Sequence, residues 1–329
     1  VAAGASPRIL PLDGIDKVPV LTSTSLMNLE KLPESLIIIG GRAIALELGQ
    51  VMARFGVRVT ILQRSGSLVP EFEPEISADI ERYLSDEGVE IHTGVQPQSI
   101  RFDGSEKAVG VTENGTPREF HAQEVLMAVG RRANTEGLGL EEAGVQLDGN
   151  GFIVVDEQMR TSHEHIYAAG DVTNNPKFVY VAAASGGLAA ANMLVGAGQP
   201  LNLSVLPEVV FTDPQMAAVG LTERDAEAAG FNIKTTVMNM NHVPRALAAQ
   251  DTRGLVKLIQ DTDTGKLLGA HIVAPEGGEM IQTLTLAIKF GIGVADLVGT
   301  LFPYLTLNEG IRIAAQTFDK DPARLSCCA

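Results

Sequence analysis

The sequence predicts an α/β chain of more than one domain, and three observations carry that prediction. Four apolar residues, Leu36–Ile39, end in Gly40-Gly41 and open into a stretch at helical spacing, Ala43–Phe55. A second, β-branched run, Val57–Leu62, follows at once, so strand, helix and strand come in the order of a parallel sheet. From Pro207 onward the pattern changes to strands interleaved with helices, as in an α+β domain. At 329 residues the chain is too long for one ordinary core. Its 34 glycines and lack of tryptophan fit a fold with many tight turns.

Taken in order, Val1–Ser25 holds a short strand remnant and a loop carrying Pro7, Pro11 and Pro19. VAAGASP reads like a strand end entering a loop, so Val1 is expected to be an internal point of a longer chain. From Leu29 to Arg132 the two strands and helix above are followed by a helix near Pro74–Glu87 and a strand Val89–Thr93. Short strands around Ser99–Phe102 and Lys107–Thr112 come next, then a closing strand Glu124–Val129. That order is a Rossmann-like nucleotide-binding domain with a small antiparallel excursion.

The glycine turn aims the free N–H groups and positive end of its helix at a pyrophosphate. Gly40 takes the first place of a GxGxxG/A fingerprint and Ala45 the third, with Gly41 between, but Arg42 occupies the second. A side chain there either swings aside or contacts the ligand itself. The second strand ends at Gln63-Arg64, where an acidic residue would hold the ribose hydroxyls of NAD. A neutral Gln63 and a cationic Arg64 favour the 2′-phosphate of NADPH instead; the alternative for Arg64 is a solvated surface arginine.

Ala133–Leu206 holds strands at Gly151–Val155 and Ile166–Ala169, the latter ending in Gly170-Asp171, and a small-residue helix, Phe178–Val195. So many Ala and Gly fit either close backbone packing or a flat ligand against the helix. In Pro207–Ala329 strands are expected at Glu208–Thr212, Ala217–Leu221, Lys234–Met240, Gly254–Gln260 and Leu267–Val273. Helices are expected at Glu223–Ala229, Gly278–Phe290, Val294–Thr300 and Asn308–Phe318. Such a domain often serves dimerisation, and the polar DKDPARLSCCA after it is expected to be a mobile tail. A net charge of −15 argues against nucleic acid and anionic membranes, and no apolar run is long enough to span a bilayer. With its two cysteines both at the extreme end, the fold uses no disulfide framework, and the cytoplasm is the expected compartment.

VAAGASP, GGRAIALE, AVGRRAN, IYAAGDV and the terminal α+β domain together resemble the FAD-dependent pyridine nucleotide–disulfide oxidoreductases, over essentially the whole chain. FVYVAAA, FPYLTLNEG and Cys327-Cys328 resemble in particular the members of that family that reduce mercuric ion. The resemblance implies that residues 1–28 are a remnant of an FAD-binding domain and residues 29–132 the NAD(P)H-binding domain. Residues 133–206 would be an FAD-binding central segment, and residues 207–329 a dimerisation domain with a Cys-Cys tail.

By the same resemblance Asp171 would hydrogen-bond the ribityl chain of FAD, and the peptide groups after Val179 would lie near the flavin ring. Asp171 could instead cap a helix. Glu47 would pair with a flavin-side lysine outside this chain, and Gly130 and Arg131 would contact the nicotinamide cofactor. Ala43 stands where many relatives carry an aromatic gate. Tyr304 stands where thiol-handling relatives carry a histidine, and Glu309 keeps the place of its acid partner. A phenol, titrating near about 10 in water, would serve thiol–disulfide exchange badly. Ligand exchange at Hg(II) asks for soft thiolates rather than a poised imidazole. Tyr180 and Tyr304 match two tyrosines of the metal pocket; the alternative is buried tyrosines with satisfied hydroxyls. Cys327 and Cys328 would take Hg(II) from solvent and pass it inward, each new Hg–S bond forming as another breaks. The six histidines show no metal-ligand spacing and receive no role.

The activity implied is electron transfer from NADPH through FAD and a redox-active cysteine pair to Hg(II), delivered as a thiol complex and released as Hg(0) by a homodimer. That pair would lie upstream of Val1, so this chain alone is expected to bind NADPH better than FAD and not to turn over. The alternatives are a relative acting on an organic disulfide, glutathione or lipoamide, and a non-catalytic module that scavenges metal and dimerises.

Overall fold

The structure, a computed structural model, describes residues 1–321 in two compact units. One comprises residues 1–11 and 127–203; the other comprises residues 12–126 and the chain from Ser204 onward.

In the larger unit Ser35–Ile39 is buried at every position, as the apolar sequence requires of a strand covered on both faces. It pairs in parallel with Arg58–Leu62, which pairs in parallel with Glu90–His92, and Glu124–Met127 lies on the other side. The helix Ala43–Arg54 turns Ala45, Leu46, Gly49 and Met52 inward. A side chain at Gly49 would start 3.1 Å from Ile38 Cδ1, so glycine sets how closely the helix lies on the sheet. Pro74 opens the next helix, Pro74–Asp86, at a position where its missing N–H costs nothing.

The excursion is a three-stranded antiparallel sheet, Val95–Asp103, Glu106–Glu113 and Thr116–Ala122. The last strand was not expected, although its signal was in the sequence. Asn114 and Gly115 have φ of +51° and +78°, the left-handed pair that a tight hairpin favours.

The same unit continues into a five-stranded antiparallel sheet. Its order is Glu208–Val210, Gln215–Gly220, Leu267–Ala274, Leu255–Asp261, Ile233–Asn239. Helices Gly277–Lys289, Val294–Gly299 and Glu309–Gln316 supply Met280, Leu297 and Ile311 respectively to a core shared with Met238, Leu258 and Ile272. These boundaries fall within a residue or two of the sequence expectations, because each element is strongly patterned. The helix Pro244–Ala249 was not expected; Pro244 at its first turn is the local signal.

The smaller unit pairs Ala5–Pro7 antiparallel with Arg131–Ala133. Its long helix, Val179–Val195, ends at Gly196 with φ +62°, a left-handed cap. The strands expected at Gly151–Val155 and Ile166–Ala169 are not continuous strands. They make single bridges, Ile153 to Leu147 and Thr173, and Tyr167 to Arg160. The reason is local. Asp148 Oδ1 accepts the N–H groups of Asn150 and Phe152, and Asp156 Oδ1 those of Gln158 and Arg160. Aspartate side chains thus take donors that a ladder would use. Among the described residues no helix is long and apolar enough to cross a membrane.

Candidate functional site

In the larger unit the glycine turn is built for close approach. Gly40 has φ +122°, open to glycine and strained for other residues, and its N–H donates to Leu62 O at 3.0 Å. A Cβ on Gly41 would lie 2.9 Å from Gln63 Cβ and from Leu68 Cδ2. Glycine therefore lets the loop after the second strand rest on the turn, where Val69 N–H donates to Gly41 O at 2.9 Å. Ala45 is fully buried, which keeps helix and sheet in contact. Arg42 caps the helix with extended backbone, and its side chain makes no cap hydrogen bond. The helix thus presents its leading N–H groups without a side-chain acceptor over them, the arrangement that suits an anion.

The neighbouring side chains sort themselves by burial. Arg42 swings aside: its Nε lies 3.6 Å from Glu71 Oε2 and its side chain is 67% exposed. Arg64 is exposed, whereas Gln63 folds into its own loop. The Gln63 amide donates to Ser67 O at 3.3 Å and accepts Arg64 N–H at 3.1 Å. Glu47 is half-buried and accepts the N–H of Phe211 at 2.8 Å. Burial pushes its carboxyl above the usual carboxylate range, and the Phe211 N–H offsets part of that rise. Ala43, the first residue of the helix, carries no bulky group.

In the smaller unit a cleft of about 500 Å³ brings together Ala2–Ala5, Arg131, Asp171, Lys177, Val179 and Gly186. Asp171 sits in a short 3-10 turn, Gly170–Val172, with Oδ2 3.4 Å from Arg131 Nε. Ala169 caps that turn and Phe178 caps the long helix, so the helix-capping alternative for Asp171 fails. Arg131 also donates to Ala5 O, and its buried Nε has no hydrogen-bond partner. Val179, first in the long helix, is 86% exposed, and Tyr180 stacks on Phe178 with ring centres 5.1 Å apart. Gly130 lies in a neighbouring cleft of about 780 Å³ with Arg8, Arg131 and Arg132.

Lys177 is a further polar group of this cleft that no sequence motif marks. It donates to Thr173 O at 3.1 Å and Asn175 O at 3.0 Å and lies 3.9 Å over the Phe152 ring. Burial lowers its pKa, and Asp171 and Asp148 partly restore it. Its neighbours are brought in by the fold. The donor set fits FAD. A carboxylate on a glycine turn suits sugar hydroxyls, Arg131 Nε, ion-paired with Asp171 but making no hydrogen bond, can still donate to an acceptor, and Ala182 and Gly186 leave room for a flat ring.

Tyr304 belongs to the larger unit and is 60% exposed, so neither tyrosine singled out by the sequence is a buried core residue in this chain. The next residue, Leu305, has φ +64°, a costly conformation for a residue other than glycine. Glu309, only 6% exposed, accepts the Leu305 N–H at 3.3 Å. Thr306 Oγ1 donates to Pro303 O at 3.0 Å and accepts the Glu309 N–H at 3.2 Å. Glu309 therefore holds the backbone beside Tyr304. Cys327 and Cys328 lie outside the described residues.

Residues 1–186 match the model of the pyridine nucleotide-disulphide oxidoreductases, and residues 206–315 match that of their dimerisation domain. A mercuric reductase of Bacillus cereus is 46% identical over the whole of this chain, which covers 52% of that relative. A mercuric reductase of Streptomyces lividans is 47% identical over the whole chain, which covers 69% of it. The chain thus spans between about half and two thirds of the length of these curated relatives. Among solved structures, the HOCl-induced flavoprotein disulfide reductase RclA from Escherichia coli superposes with a TM-score of 0.87 at 29% identity. That match covers 95% of this chain and 72% of RclA. LpdA from Mycobacterium tuberculosis superposes with a TM-score of 0.86 at 31% identity, covering 97% of this chain and 69% of LpdA. Motifs, fold and relatives agree: the chain belongs to the pyridine nucleotide-disulphide oxidoreductase family.

Proposed function

We propose that this chain is the nucleotide-handling and dimer-forming part of an NADPH-dependent mercuric reductase that converts Hg(II) to Hg(0) in the cytoplasm. The observation that carries the reading is identity of 43% to 47% with mercuric reductases along the entire chain. It is supported by an exposed phenol, Tyr304, beside a Glu309 that is occupied with backbone.

The roles follow from the chemistry of each group. The N-terminus of the helix Ala43–Arg54 holds the diphosphate of the dinucleotide, with Gly40 and Gly41 allowing approach and Ala45 keeping the helix down. Arg64 takes the 2′-phosphate, and Gln63 shapes the loop that presents it. FAD, when bound, supplies two-electron transfer between the nicotinamide and a dithiol. Asp171 would accept from its sugar hydroxyls and the exposed amide end at Val179 would lie near its ring, while Gly130 and Arg131 would contact the nicotinamide cofactor. Glu47, its carboxyl raised by burial, would pair with a flavin-side lysine. Tyr180 and Tyr304 offer phenol oxygens to the incoming ion. Cys327 and Cys328 deliver Hg(II) from small-thiol complexes by thiolate exchange in a homodimer.

The chain's two cysteines are Cys327 and Cys328, which on this reading serve delivery of Hg(II) rather than the flavin-side redox step. This chain alone is therefore expected to bind NADPH and to show no mercuric-ion-dependent NADPH oxidation in excess thiol. Fusion to the part of the Bacillus cereus relative that this chain does not cover is expected to give that activity. A fusion that reduces glutathione disulfide or lipoamide but not Hg(II) would assign it to the organic-disulfide branch. Robust turnover by the chain alone would overturn the assignment of roles.

A further inference from the structure

Arg42 stands where the dinucleotide fingerprint calls for glycine, and its side chain has already been placed by the fold. The backbone at Arg42 is extended, with φ −111° and ψ −174°, so the side chain leaves the turn without strain and does not plug the helix end. Its guanidinium reaches Glu71 at 3.6 Å, longer than a hydrogen bond, with both groups open to solvent. Glu208 lies within electrostatic reach of the same pair. The loop that carries Glu71 is tied to the turn by the hydrogen bond from Val69 N–H to Gly41 O.

An exposed ion pair at this distance is weak, screened by salt and easily exchanged. A diphosphate on the adjacent helix end offers Arg42 two anionic groups in fork geometry, a better partner than one distant carboxylate. We infer that Glu71 holds Arg42 in reserve beside the glycine turn and that Arg42 exchanges Glu71 for the diphosphate of the incoming nicotinamide dinucleotide, making Arg42 a binding residue and Glu71 its competitor. The inference rests on the dinucleotide-binding reading of the turn and goes beyond it, because the fingerprint assigns this position no side chain at all.

The exchange differs from what Arg64 does. Arg64 addresses the 2′-phosphate and so separates NADPH from NADH, whereas the diphosphate is common to both. The test is titration of the folded full chain with NADPH and with NADH, followed by nicotinamide fluorescence at low and moderate salt. Arg42→Ser is expected to weaken both dinucleotides, by roughly five- to tenfold, while Arg64→Gln weakens NADPH alone. Glu71→Gln is expected to tighten both, by roughly two- to fivefold, and to do so only while Arg42 is present. Equal tightening in the Arg42→Ser background would show Glu71 to be a mere repulsive charge and would overturn the proposal. Unchanged affinity in Arg42→Ser would do the same while leaving the dinucleotide site standing. A wild-type chain that binds neither dinucleotide would remove the site and the exchange together. Circular dichroism of each variant separates these outcomes from misfolding.

Discussion

Among the described residues of the larger unit, Lys257 is the most deeply buried charge. Its side chain is 1% exposed and its ammonium touches Glu73 at 2.7 Å, Glu75 at 3.0 Å and Glu223 at 2.6 Å. Burial alone would pull its pKa down, but hydrogen bonds to the three carboxylates outweigh that and hold the ammonium protonated. Lys257→Met is expected to cost about 3–5 kcal/mol in urea unfolding, because Glu73, 2% exposed, would be left among like charges. His271 is the direct cross-strand partner of Lys257, with Phe72 6.5 Å away and Glu73 and Glu75 within electrostatic reach. Its Nε2 lies 3.3 Å from Leu221 O, and its buried Nδ1 has no hydrogen-bond partner. Burial holds its pKa below the ordinary 6.5, Lys257 adds to that, and Glu73 and Glu75 oppose it. The unfolded chain therefore takes up this proton first as pH falls. The stability contribution is complete above about 6.5 and is lost below it, down to the depressed folded value. Chemical denaturation between pH 7.5 and 5 is expected to show this slope in the wild type and a shallower one in His271→Gln.

At the scale of elements, the turn before the last described helix shows how one side chain can maintain a strained backbone. Leu305 at φ +64° persists because Glu309 accepts its N–H and Thr306 ties Pro303 to Glu309. If that acceptor matters, Glu309→Gln should keep the turn and Glu309→Ala should loosen it. Hydrogen exchange at Leu305 is expected to be roughly tenfold faster in the alanine variant, about 1.4 kcal/mol, and near wild type in the glutamine variant. Equal loosening in both would mean that charge, not acceptance, is what counts. The glycine turn was readable because its pattern is contiguous. The Asn114-Gly115 hairpin is just as contiguous, its two left-handed residues adjacent in the chain. The single bridges around Ile153 and Tyr167 were not readable, since aspartate turns there displace ladders that residue type alone would favour.

For the whole molecule, the domain from Ser204 onward leaves large apolar side chains in water: Leu301 at 92% exposure, Phe290 at 71% and Phe211 at 70%. Together with the match to the family's dimerisation domain, this exposure supports burial of part of the surface between two copies. Sedimentation at micromolar concentration is expected to give a dimer for the wild type and a shift toward monomer for Leu301→Arg. A dimer untouched by that charge would place Leu301 outside the interface.

What depends on near neighbours can be read from the residues alone: an α/β unit around LIIIGGRAIALE, the order of strands and helices after Pro207, and the family, through motifs each within a dozen residues. The partners of individual polar groups are set by packing at long range. Glu47 found Phe211 across 164 positions, Lys257 found Glu73 across 184, and Arg42 found Glu71 rather than the helix end beneath it. The physical reason is that periodicity reports which face of an element is buried. The partner of a buried or half-buried charge is set by whichever distant segment the packed core carries up to it.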